Sequence, residues 1–409
     1  MASLNLQRNS EVFFSTIDLI NGAAATAMTP ANTWKLEVLA GFALTSSSAT
    51  QDITSLESGI DPDRSQQRFR TAINPVDWNF QVYLRPTGVQ TGAAENTTTA
   101  ATNQSGNVKP TADWFMWQSL VSNTKVASGS AATTEERSVW STGGKLLTTN
   151  VAAATGTHST RSNFPTATEN HIYFKVDNVV YQVSNATVNQ ATVDAGIEEI
   201  ATTTWTGFGT TLKELAWTFT AASSTENGHK TAHYHSFAQM NVAGTVGTNA
   251  FIKNRLSSIE FHHKATAAAS DEKFTFPVTA LSFDYNNNIT YLSPEEISAL
   301  NEPIGQFTGT RAVTGSATMY LRAGDLESSG FFRNISEDSR TASAQTSNAN
   351  LIIGGPTAPY VAFQLDAVEF DIPQLATEDV VSMSVSFLAQ EPTATKGDGG
   401  EVKIFAAKS

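Results

Sequence analysis

The sequence predicts an all-β fold with short helices, built from two copies of one domain. Three observations predict it. The composition is rich in Thr and aromatics and poor in charge. Apolar and polar residues alternate in short runs. Those runs recur, in the same order, in the second half of the chain.

With 409 residues, the chain has room for two domains that each bury a core of their own. Hydrophobic residues make up 40% and charged residues only 15%, the difference being filled by Ala, Thr, Ser, Asn and Gly. Twenty-three Phe, 7 Trp and 8 Tyr need a dry interior, so the composition is not that of a disordered chain. Thr and aromatics favour strands, while Gly and Asn favour tight turns. The absence of Cys excludes disulfides, Cys-zinc sites and a thiol nucleophile. The net charge of −13 weighs against a protein that grips nucleic acid, and suits a surface over which DNA slides. MASLNLQRNSEVFFSTIDL lacks the basic-then-apolar order of a signal peptide. No stretch approaches the roughly 18 apolar residues of a membrane span, so no membrane partner is expected.

Four pairs of segments carry the repeat. RNSEVFFS from Arg8 matches RLSSIEFH from Arg255 at an offset of 247. WKLEV from Trp34 matches FTFPV from Phe274 at 240. The segment ending Tyr83-Leu84-Arg85 matches that ending Tyr320-Leu321-Arg322 at 237. FKVDNVVYQV from Phe174 is paired with FQLDAVEFDI from Phe363 at 189, which makes Asp177 and Asp366 equivalent. The alternation in each marks a strand with one buried face. The fall of the offset by 48 before the fourth pair predicts an insertion of that size in the first copy. A short helix is predicted after each YLR segment, from Thr111 and from Gly324, with Asp113 and Asp325 near the starts as capping residues. Between the second and third strands of each copy, a long loop reads as a hairpin with an extended tip, suited to docking. The boundaries that follow are 1–205 for the first copy with its insertion at about 86–170, 206–250 for a linker or hairpin, and 251–409 for the second copy with a C-terminal extension.

SLNLQRNSEVFFSTI, followed by QQRFRTAINPVDWNFQVYLRP, resembles the tail tube proteins (major tail proteins) of long-tailed siphophages whose subunit is a duplicated domain. The second copy, LSFDYNNNITYL then EPIGQFTGTRAVTGSATMYLRAG, resembles the single-domain tail tube pattern. The resemblance implies a β-sandwich flanked by a helix in each copy, with four strands per copy given to a shared inner barrel. It implies trimeric, pseudo-sixfold rings stacked into a tube around a tape measure protein, ending at tail terminator and tail-tip or baseplate proteins. Phage DNA would pass through an acidic lumen during ejection without specific binding. The protein would be part of the virion tail, in the host cytoplasm before assembly, with no enzymatic activity and no cofactor. The chain ends soon after Phe387-Leu388, so the further immunoglobulin-like domain of some relatives is expected to be lacking.

Acidic residues within the matched strands, Glu11, Glu37, Asp177, Glu260 and Asp366, are candidates for the lumen wall. Asp52, Asp61, Asp63, Asn287, Glu295 and Glu296, in the long loops, are candidates for ring stacking. His229, His233 and His235 could suggest a metal, but they fit an exposed hairpin better. His262 and His263 are neighbours and face opposite ways on a strand. Asp61 and Asp63 lack the further ligands of a calcium loop. No nucleophile elbow, phosphate loop or dinucleotide fingerprint is present. Two alternatives remain open: a tail-tip or decoration β-sandwich that binds a receptor or glycan, and the tube of a contractile injection device. A β-sandwich hydrolase would need an acid pair or nucleophile that the sequence does not display.

Overall fold

The computed structural model describes residues 10–19, 33–53, 67–86, 111–121, 124–125, 138–143, 170–176, 179–215, 251–252, 254, 257–263, 272–293, 301–303, 305–341, 347–355, 359–377, 380–391 and 399–407. These are mostly strand, in antiparallel sheets.

The first half holds β1 (Ser10–Ser15), β2 (Thr33–Leu36), β3 (Ala43–Thr45), a hairpin of β4 (Ser48–Ile53) and β5 (Gln67–Ile73), and β6 (Val76–Tyr83). Helix α1 (Trp114–Val121), β7 (Thr124–Lys125) and β8 (Ser138–Gly143) follow. It continues with β9 (His171–Val176), β10 (Val179–Ser184), β11 (Thr187–Gly196), β12 (Thr202–Gly209) and β13 (Thr211–Leu215). The last two strands carry the first half past residue 206, so the segment 206–215 is paired strand rather than connection.

The second half holds β14 (Ser258–His263), β15 (Glu272–Pro277), β16 (Ala280–Asn286), a hairpin of β17 (Ile289–Leu292) and β18 (Gly305–Thr308), and β19 (Ala312–Tyr320). After α2 (Ser328–Thr341) come β20 (Ser347–Ile353), β21 (Tyr360–Phe370), β22 (Gln374–Thr377), β23 (Val381–Ala389) and β24 (Gly399–Ala407).

Each half is a two-sheet sandwich with the same pairing. In the first, β13-β10-β9-β1-β2 forms one sheet and β11-β12-β6-β3 the other. In the second, β24-β21-β20-β14-β15 and β22-β23-β19-β16 repeat that order. Strand registers confirm the first two sequence pairs. Val12 faces Leu36 and Phe14 faces Trp34, as Ile259 faces Phe276 and Phe261 faces Phe274.

The fourth sequence pair is overturned. Val12 lies opposite Phe174, and its counterpart Ile259 lies opposite Leu351, not Phe363. Phe363 sits one strand further out, opposite Leu351, as Tyr181 sits opposite Phe174. The true partners are therefore Tyr181-Gln182-Val183 and Phe363-Gln364-Leu365 at an offset of 182, and Asp366 corresponds to Ser184 rather than Asp177. Phe174 and Leu351 stand 177 apart, which makes the net insertion in the first copy larger than the repeat offsets suggested. The chain changes sheets at the same place in both halves by different means. Asn185 turns with φ of 50° between β10 and β11, whereas β21 runs through with a register shift opposite Ser347 and Ala349.

The core lies between the sheets of each sandwich. Val12, Phe14, Trp78, Phe80 and Phe174 are fully or almost fully buried in the first, with Phe115 of α1 stacked on Trp34 at 5.4 Å. In the second, Phe261 stacks on Phe331 of α2 at 4.6 Å and meets Phe370 edge-on at 4.7 Å. The two halves fill one core site from opposite strands. Trp78 on β6 faces Gly207 on β12, while Gly315 on β19 faces Phe387 on β23. A Cβ on either glycine would lie within 2.3 Å of the opposing ring, so only glycine leaves room for it.

Both helices start later than predicted. Asp113 precedes α1, and its carbonyl accepts from the Met116 amide at 2.9 Å, but its carboxylate Oδ2 accepts the Trp205 indole N–H at 2.9 Å instead of capping. Asp325 lies outside α2 and is exposed, beside Arg333. The start of α2 is tied by Ser328, whose Oγ accepts from the Arg322 amide at 2.7 Å.

Candidate functional site: a polar sheet face with two open edges

Two ladders join the sandwiches: β8 of the first half pairs with β24 of the second, and β11 pairs with β16. β11 pairs with β12 on one side and with β16 on the other, from Gln190 opposite Asn286 to Gly196 opposite Ala280. Eight strands, β3-β6-β12-β11-β16-β19-β23-β22, thus form one continuous surface across both halves.

Strand alternation divides that surface. On one side Trp78, Phe80, Trp205, Val193, Phe283, Ala317, Met383 and Val385 are buried in the core. The other side carries Asn79 and Gln81 of β6, Thr202, Thr204 and Thr206 of β12, Thr314, Ser316 and Thr318 of β19, and Ser382, Ser384 and Ser386 of β23. The charged side chains that this alternation puts on the polar side of the described strands are Asp77, Asp194 and Asp284, with no Lys or Arg among them. Cross-strand bonds fix the orientation. Asp284 Oδ1 accepts from Gln190 Nε2 and Thr192 Oγ1, each at 2.7 Å, and Asp194 Oδ1 accepts from Ser282 at 2.8 Å.

These three aspartates were missed by sequence reasoning: Asp194 and Asp284 lie outside the matched segments, and Asp77, inside the third, was not singled out. The signal available was strand parity: each of them lies out of phase with its strand's buried residues.

The candidates taken from the matched strands lie elsewhere. Glu11 is on β1 of the outer sheet, between Lys35 and Lys175, which both donate to it. Burial works to raise its pKa, but the two lysines outweigh that and hold it below the ordinary carboxylate range. Glu37 follows β2 and pairs with the buried Arg85 guanidinium at 2.5 Å. Asp366, on β21, pairs with Lys403 of β24 at 2.5 Å and accepts from Gln364 at 2.7 Å. Glu260 is half-buried on β14, opposite Thr275 and Asn350. None of these four belongs to the eight-strand surface, and three are neutralised by a cation; Asp177 lies outside the described residues.

Of the loop candidates, Asp52 is exposed on β4 and bound by Arg68 through Nε and Nη2. Asn287 is buried, not a surface contact. Its Nδ2 donates to Leu120 O of α1 at 2.9 Å, and its amide donates to Asn189 O at 2.9 Å, which pins the base of the β17–β18 hairpin to the first half. Asp61, Asp63, Glu295 and Glu296 lie outside the described residues, as do His229, His233 and His235. His262 and His263 end β14 as neighbours. No group of three or more His, Cys, Asp or Glu that could hold a metal occurs among the described residues. No helix among them is long and apolar enough to cross a membrane.

The β17–β18 hairpin reaches from the second half onto the first. The Tyr291 hydroxyl donates to Asn185 O at 3.2 Å, its ring meets Phe208 edge-on at 5.8 Å, and Thr187 donates to Gln306. Burial pushes the Tyr291 phenol up to about 12. The joint therefore combines the β11–β16 and β8–β24 ladders with a hairpin laid across the first.

No protein-family profile matches the chain. It is 27% identical over 413 residues, 97% of its length and 75% of the relative's, to the tail tube protein pb6 of Escherichia phage T5. A chain in the 6-fold symmetrised cryo-EM baseplate of the anti-feeding prophage aligns with a TM-score of 0.26 at 10% identity, over 33% of this chain and 89% of that one, a likeness too slight to argue from. The similarity to the phage tail tube protein bears out the siphophage resemblance and supports an all-β structural subunit of a virion tail.

Proposed function

We propose that three copies of this chain close into a ring, that the rings stack into a hollow tube, and that the polar face of the eight-strand surface lines its lumen. The observation that carries this reading is the continuous sheet itself. It crosses both halves, buries one face, and leaves on the other a wall of hydroxyls and amides whose charged groups in the described strands are acidic.

Three chains of eight strands would make a barrel of 24. With strands about 4.8 Å apart and tilted about 40°, its backbone diameter is about 50 Å, wide enough for duplex DNA once side chains are subtracted. Hydroxyls and amides offer DNA no fixed counter-charge, and Asp77, Asp194 and Asp284 repel its phosphates. Such a wall favours sliding over binding, as ejection of a genome demands. Contacts of this kind that close on themselves make rings rather than filaments. The tape measure protein inside the tube and the terminator and tip proteins at its ends are the partners this role entails, and the subunit has a structural rather than a catalytic task.

Mass measurement of the purified protein under native conditions tests the reading. Assemblies in multiples of three 43.7-kDa chains are expected. A monomer that stays monomeric at high concentration and binds a glycan would overturn it in favour of a tail-tip role.

A further inference from the structure

We propose that residues 16–19 form an acid-sensitive strap over the outer sheet of the first half, and that protonation of His171 opens it by turning the Gln182 amide away from Asp18. The strap belongs to the single chain and does not depend on the ring reading above.

The sheet β13-β10-β9-β1-β2 buries one face in the core. On its other face, strand parity sets Phe13, Tyr173, Val180 and Leu215, one from each of four neighbouring strands, all buried. After β1 the chain crosses onto this patch. Leu19 is 1% exposed there, and Ile17 packs at its margin. The second half has no such patch. The strand registers put Glu260 at the position of Phe13 and Asn350 at that of Tyr173. Apolar patch and strap therefore occur together, in the first half.

Two side chains hold the strap. The Tyr173 hydroxyl donates to Ile17 O at 2.5 Å and accepts from the Leu19 amide at 3.2 Å. Gln182 Nε2 donates to Asp18 Oδ1 at 2.6 Å. That nitrogen has more acceptors than hydrogens, because Ser184 Oγ lies 3.1 Å and His171 Nδ1 3.4 Å from it. The other end of the amide, Oε1, is buried with no hydrogen-bond partner. Asp18 thus fixes which way the amide points and leaves its oxygen unserved.

His171 Nδ1 accepts from Gln182 only while the ring is neutral. Once protonated, it is a donor facing a donor. Turning the amide would meet it with Oε1, but would set that same oxygen against the Asp18 carboxylate. The strap then has to leave. Leaving also hydrates the imidazolium, which burial disfavours: burial holds His171 down to about 4, with Asp18 opposing. Other ionisable groups share this face. Tyr173 is two residues along β9, Lys213 of β13 is opposite Gln182, and Glu11 lies between Lys35 and Lys175 at the far end. From β1 and β10, Ser15 and Ser184 come beside His171, and neither titrates.

Linkage fixes the size of the effect. A group that titrates at about 6.5 when hydrated and about 4 when covered raises the opening constant of the strap about twentyfold between pH 7 and pH 5. Hydrogen exchange of the full chain tests this, read on the peptic peptide that carries the amides of Ile17, Asp18 and Leu19 and corrected for the intrinsic rate. Protection of that peptide is expected to fall about twentyfold from pH 7 to pH 5, while β9 and β10 keep theirs. His171→Gln should abolish the fall. Constant protection, protection that rises because the imidazolium pairs with Asp18, or an equal fall in His171→Gln would overturn the proposal. Tyr173→Phe gives a second measure that does not need the His171 variant to fold. Loss of both clasp bonds should lower strap protection at least tenfold at either pH and keep the pH response, and unchanged protection would overturn the strap assignment.

Discussion

Replacing Gly207 by Ala tests the packing that lets the polar sheet lie flat on its core. Gly207 faces Trp78 across the β6–β12 ladder. A Cβ there would lie 2.2 Å from Trp78 Cζ2 and 2.1 Å from the carbonyl oxygen of Thr187. The carbonyl belongs to a strand paired on both sides, so the ring is the element that must yield. Trp78 is stacked on Phe80 at 5.4 Å, and its Nε1 donates to Phe208 O at 3.1 Å. Overpacking of this kind costs about 1–3 kcal/mol, and loss of the indole bond adds about 1 kcal/mol. For domains of this size that is a fall in melting temperature of about 4–16 °C. Gly196→Ala is the control: its Cβ would meet only the flexible end of Glu199 at 3.4 Å, and the change should stay within about 0.5 kcal/mol. Thermal melts of both variants in one assembly state check the difference. A Gly207→Ala protein that melts with wild type would refute the steric account of the Gly–Trp pair.

Three further outcomes are expected. Burial depresses the His171 imidazole to about 4, against the nearby Asp18, so folding favours its neutral form; the associated stability, on the order of 3 kcal/mol, is complete above pH about 6.5 and is lost as pH falls towards 4, and His171→Gln should flatten that part of a stability–pH profile. Phe261→Ala removes the ring stacked on Phe331 and edged by Phe370, and should cost about 3–5 kcal/mol by chemical denaturation, with the loss confined to the second half's transition if the halves unfold separately. Asp77→Lys/Asp194→Lys should leave assembly intact but make tubes retain duplex DNA, with binding that weakens steeply between low and physiological salt; unchanged DNA retention would take these residues off the lumen wall.

The duplication was legible wherever both copies kept the same strand parity. Arg8–Ser15 and Trp34–Val38 could be aligned because the same alternation buries the same side in each half. The fourth pair misled because a shared Phe-x-x-Asp outweighed the shared Gln of Tyr181-Gln182-Val183 and Phe363-Gln364-Leu365. In the first copy β9 ends at Val176, whereas in the second Phe363–Asp366 lies within β21, a difference composition does not encode. Strands β3 and β16, and β12 and β23, were not recognised as repeats, because the Gly–aromatic pairs exchange partners between copies and leave little identity to read. The acidic candidates lie off the eight-strand surface for a related reason. Glu11 and Asp366 belong to sheets where lysine strands flank them, and pairing partners become visible only once register is known.

The reconstruction of assembled tubes by electron cryomicroscopy, with no symmetry imposed, tests the central claim most directly. The account predicts three chains per ring, both halves at six near-equivalent positions, and a 24-stranded inner barrel with Asp77, Asp194 and Asp284 pointing into the lumen. A ring of six chains, or an inner wall formed by the sheet that carries Glu11, would contradict it.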